Sequence, residues 1–90
     1  MHVPETAPTY QIQCNAAHAA ATRKVAAWLG GPVTVGPGNR LGSKDTLFFP
    51  VLGAAKSDNG LRCGTVEVRF DRPIGQDGAE IVFVRDIPVS

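Results

Sequence analysis

No charge of either sign dominates this chain of 90 residues: nine basic and eight acidic side chains leave a formal charge of +1. Proteins that hold many phosphates usually carry a basic excess, because released counterions supply most of the affinity. That excess is missing, which leaves room only for a local basic patch. Long apolar runs are missing too, and none approaches the roughly 20 residues that span a bilayer. The opening MHVPETAPTY carries a glutamate and two prolines and lacks the apolar core of a secretory signal, so a cytoplasmic setting is expected. Cysteine is scarce. Cys14 and Cys63 stand far apart, form no CxxC pair, and read as buried thiols of a small intracellular protein. A bridge between them requires both to point into the same core.

What is present is ordinary globular material. Hydrophobic residues make up 43% of the chain, too many for a disordered segment and suited to one domain with one core. Pro4 and Pro8 assign residues 1–8 to an extended tail, leaving 9–90 as a single domain. TYQIQC alternates, with Tyr10, Ile12 and Cys14 against Gln11 and Gln13, the pattern of a short strand with one wet face. Asn15 can cap the helix that follows, AAHAAATRKVAAWL, which Gly30-Gly31-Pro32 ends. On that helix His18, Ala21, Val25, Trp28 and Leu29 share one stripe, with Trp28 expected to be buried. The remainder reads as strands: PVTV, TLFFPVLG, LRCGTVEVRF and EIVFVRDIPV.

Pro50 marks its strand as an edge or a bulge, and Asp58-Asn59-Gly60 suits a turn. A switch of parity in LRCGTVEVRF calls for a bulge at Gly64, with Val66, Val68 and Phe70 inward and Glu67 and Arg69 outward. In the last strand Val82 and Val84 share one face, and Ile81, Phe83 and Ile87 the other. The expected fold is α+β: one alanine-rich helix on an antiparallel sheet of four or five strands, in the order β-α-β-β-β-β.

The stretch GPGNRLGSKDT, residues 36–46, has the glycines and the lysine of a phosphate-binding loop. Its spacing fails the Walker A pattern, because Ser43 separates Gly42 from Lys44. A dinucleotide loop must open a helix, and TLFFPV has strand composition instead. The stretch therefore reads as a long β-loop whose exposed residues are available for contact. Cys14 and His18, four apart, could pair as thiolate and imidazole, or join Cys63 around zinc. But the helix holds no carboxylate to orient the histidine, and His18 shares its stripe with core residues. No catalytic residue, cofactor or metal is assigned.

Arg62, Arg69, Arg72 and Arg85 on or near the last two strands raise a nucleic-acid reading. The strand around Gly64, Thr65 and Val66 lacks the aromatics on which bases stack, and Glu67 adds repulsion. The expected activity is protein binding without catalysis, in the manner of small inhibitors and adaptors of larger complexes. Phage-encoded anti-defence proteins such as anti-CRISPRs and mobile-element cassette proteins share this size and style, though no motif carries a resemblance. The alternatives are a nucleic-acid-binding module and a structural subunit, such as a virion component. The expected partner site is Arg40, Leu41 and Lys44 in the glycine-rich loop with Arg72 in the 71–78 connection.

Overall fold

The computed structural model describes residues 8–29, 33–52 and 62–89. One helix, α1 (Pro8–Leu29), precedes four strands: β1 (Thr34–Val35), β2 (Thr46–Leu52), β3 (Arg62–Phe70) and β4 (Ile81–Val89). The strands form an antiparallel meander in the spatial order β1-β2-β3-β4. The α+β class and the four-stranded antiparallel sheet agree with the sequence reading. No helix among the described residues is long and apolar enough to cross a membrane.

The expected first strand does not form. TYQIQC belongs to α1, so the order of the described elements is α-β-β-β-β. Pro8 explains the early start: in the first helical turn its fixed φ is already suitable and its missing N–H would have had no partner. From there to Gly30 nothing breaks a helix. Tyr10, Gln13, Ala17, Ala21 and Val25, three or four apart, are all buried along one line. The alternation of TYQIQC was the first turn and a half of this stripe, too short to separate a period of 2 from one of 3.6. At 1.5 Å per residue α1 runs for about 33 Å. Ala17 and Ala21 bring its axis close to the sheet. The side chains of Trp28, Leu29 and Cys63 lie outside the described residues, as do residues 1–7 and the expected turn at 58–60.

One sheet face packs on α1 through Leu47, Phe49, Val66, Val68 and Phe70, all buried, with Ile74 of the following connection closing one end. A register shift between Cys63 and Thr65 puts the bulge at Gly64. A second shift, between Arg69 and Phe70, changes β4: Phe83 pairs with Arg69 and Ile81 with Phe70. Val82 is thus the extra residue and stands 59% exposed, while Ile81 and Val84 both pack on the core. The sequence grouping of Ile81 with Phe83, and Val82 with Val84, is corrected by that bulge.

Pro50 does not mark an edge, since β2 lies between β1 and β3. Its carbonyl accepts the Gly36 N–H at 2.8 Å. The N and C=O of one strand residue face the same side, so the missing donor falls where the chain leaves β1. The sheet tolerates proline there because β1 is only two residues long.

Candidate functional site

The glycine-rich loop, the start of α1 and the 71–78 connection meet at one end of the molecule. The loop is tied to β2 by reciprocal 2.8 Å backbone bonds between Asn39 and Phe48. Gly38 permits this close approach: a Cβ on it would lie 2.8 Å from the Phe49 ring. Strand β2 follows the loop, so no helix N-terminus opens from it.

Beyond Asn39 the chain reverses in a tight turn. The Ser43 N–H donates to the Arg40 carbonyl at 2.8 Å, and Leu41 and Gly42 have φ of 48° and 83°. Two consecutive positive φ values are the mark of a type I′ turn, which favours glycine, asparagine or aspartate. Gly42 fits; Leu41 is the only non-glycine residue with positive φ among the described residues. For an L-residue that conformation costs about 1–2 kcal/mol. Its side chain gains little in return, being 69% exposed.

Neighbouring groups hold the turn in shape. The Leu41 N–H donates to Asn39 Oδ1 at 2.9 Å, and Arg40 Nε donates to the Ser43 carbonyl at 3.2 Å. The Arg40 guanidinium lies 5.5 Å from the centre of the Tyr10 ring. The hydroxyls of Ser43 and Thr46 each donate to Asp45 Oδ1 at 3.0 Å. The Thr46 and Ser43 bonds hold the Asp45 carboxyl below 3.8, with a smaller contribution from the Arg69 charge.

The 71–78 connection is docked beside this turn. Ile74 donates its N–H to the Lys44 carbonyl at 2.8 Å. Gln13, only 8% exposed, clamps the connection to α1: its Nε2 donates to the Gln76 carbonyl at 2.8 Å and its Oε1 accepts the Gly75 N–H at 2.6 Å. Of the four residues expected to meet a partner, Leu41 and Lys44 project into solvent. Arg40 folds back over Tyr10. Arg72 is exposed beside Asp71, with Nε 3.4 Å from its Oδ1. All four belong to this end, and the loop and the connection are in direct contact. Leu41 does not pack back onto its own domain, the more usual fate of such a side chain.

A cleft of about 590 Å³ opens between α1 and the loop, lined by Tyr10, Cys14, His18, Leu41, Leu47 and Phe49 among others. His18 Nε2 donates to the Val35 carbonyl at 2.8 Å, and its ring meets Phe49 edge-on, with centroids 5.7 Å apart. Its role here is to pin α1 to β1. No carboxylate is among the residues that line the cleft, whereas Cys14 and His18, one turn apart on α1, both line it. Sequence reasoning missed Tyr10 and Gln13, both assigned to a strand; Pro8 followed by 21 residues without glycine or proline was the available signal.

No protein-family model, curated protein or solved structure matches this chain.

Proposed function

We propose that this chain is a non-catalytic protein-binding module, and that Leu41 at the tip of the 40–43 turn is its anchor. The observation that carries the reading is the cost of that turn. A leucine occupies a left-handed position that asparagine or glycine would fill without strain, and it leaves its side chain in solvent. Buried in a partner, the same side chain would offset that cost, since fully burying a leucine side chain contributes about 1.5–3 kcal/mol. Lys44, Arg40 and Arg72 supply a basic rim. The complementary partner is a protein with an apolar socket bordered by carboxylates, and with an apolar side chain to enter the cleft beside the turn. Such a rigid, small contact element suits an inhibitor or adaptor of a larger complex in the cytoplasm, the phage anti-defence or mobile-element style of protein included.

The test is affinity capture from host lysate with the parent chain and with the charge reversal Arg40→Glu plus Lys44→Glu. A protein retained by the parent and lost by the folded double variant is expected. Equal retention by both would remove the contact surface from this end.

A further inference from the structure

The face of the sheet turned away from α1 is a second surface, independent of the turn. Alternation fixes its residues. Phe48 on β2, Glu67 on β3 and Arg85 on β4 form one cross-strand row, and Thr46, Arg69 and Phe83 form the next. Glu67 is only 5% exposed, on the face opposite the one that packs on α1. Two arginines hold its carboxylate: Arg85 Nη2 donates to Oε1 at 2.9 Å, and Arg69 Nη2 donates to Oε2 at 3.1 Å. Both arginine side chains stay about half exposed, at 58% and 52%. Arg69 also lies over the Phe83 ring, 5.2 Å from its centre.

This arrangement answers two of the three objections that the sequence raised against nucleic acid, and meets the third, the balanced total charge, with a local pair of arginines. The Glu67 charge is spent as a clamp that holds two guanidiniums side by side, leaving a net charge of +1 on the two rows. The aromatics come from the flanking strands instead of β3. Phe83 is 40% exposed and Phe48 is half-buried. From strand spacing and rise the two rings stand about 12 Å apart, on opposite corners of the arginine pair. An open sheet with planar groups at its corners and fixed guanidinium donors between them matches the two needs of an unpaired strand, π-faces for bases and cations for phosphates.

We propose that this open face binds single-stranded nucleic acid, with a base stacked on the Arg69–Phe83 pair and backbone phosphates held by Arg69 and Arg85. A duplex keeps its bases stacked on one another and gains only the charge term, so it binds less tightly. Two neutralised phosphates give a dependence of log affinity on log salt of about −1.4. Together with the proposed anchor at Leu41, this face would make the chain an adaptor between a protein and a nucleic-acid strand. The face stands on its own observations and does not depend on that anchor.

The test is fluorescence anisotropy of labelled oligothymidylate and oligouridylate of about ten nucleotides, with a matched duplex, at about 50 and about 200 mM salt. Expected are binding to single strands over duplex, about tenfold weaker binding by Phe83→Leu, and a salt slope shallower by about 0.7 in Arg69→Gln and in Arg85→Gln. Arg23→Gln, exposed on α1 and outside both proposed surfaces, should bind as the parent does. Phe83→Leu keeps the charge clamp intact, so its result stands even if an arginine variant folds poorly. Absence of binding, or binding that Phe83→Leu and both arginine variants leave unchanged, overturns the proposal. So does a parent dimer in sedimentation that Phe83→Leu dissociates, which would make the face a contact between two copies.

Discussion

At the scale of single residues, two buried polar side chains do work that hydrophobic patterning does not register. Gln13 satisfies a backbone donor and a backbone acceptor at once, joining α1 to residues 75 and 76. Truncation leaves the Gly75 N–H without that acceptor, and an unmade buried bond costs more than a made one contributes. Gln13→Ala should lower stability by about 2 kcal/mol, or about 10 °C in Tm, measurable in a thermal melt. Glu67 poses the opposite problem, a carboxylate enclosed by two half-exposed cations. Either arginine alone can keep it paired, so Arg69→Ala and Arg85→Ala should each cost about 1 kcal/mol or less. Removing both strands a buried charge. Chemical denaturation of the double variant should therefore show a loss that exceeds the sum of the single losses by about 1 kcal/mol.

At the scale of elements, α1 and β4 meet at a carboxylate. Asp86 lies opposite Val66 on the helix-facing side of the sheet, and its Oδ1 is buried without a hydrogen-bond partner among the described residues. Burial raises its carboxyl above 3.8, partly countered by the Lys24 charge. The folded state thus holds its proton more tightly than the unfolded state, so stability falls as pH rises from 3.8 through the folded value. Asp86→Asn should then stabilise the protein at neutral pH and lose that advantage below pH 3.8. Asp45 acts with the opposite sign. Its lowered carboxyl adds stability above 3.8, and that contribution disappears as pH falls through the folded value. Melts of Asp86→Asn and parent across acidic and neutral pH check the first sign directly.

The legible elements were those with long patterns. Val66, Val68 and Phe70 could be placed inward because alternation persists after Gly64, and the helix body because alanine and the closing glycines leave no other choice. Short or irregular patterns misled. Six residues of TYQIQC fit two periods, and the second bulge in β3–β4 leaves no mark in the composition of EIVFVRDIPV. The 36–45 stretch was legible as a loop, but not the left-handed leucine at its tip, since nothing in NRLG distinguishes an outward side chain from an inward one. Of the Glu67 clamp, only the shared outward face of Glu67 and Arg69 was legible, from their spacing along one strand, whereas Arg85 arrives by a register that only the folded sheet sets.

At the scale of the whole molecule, one end carries a costly reverse turn, and the sheet face turned away from α1 carries two arginines clamped on Glu67. The proposed function ties the cost of that turn to contact with a partner. Replacing Leu41 with asparagine keeps the turn and relieves the left-handed strain. The most direct test reads stability and capture on that one variant, Leu41→Asn, beside the parent. The account predicts a Tm higher by about 5 °C, from about 1 kcal/mol of relieved strain, together with loss of the protein that the parent retains from lysate. Capture undiminished in the stabilised variant, or a Tm that falls, would contradict it.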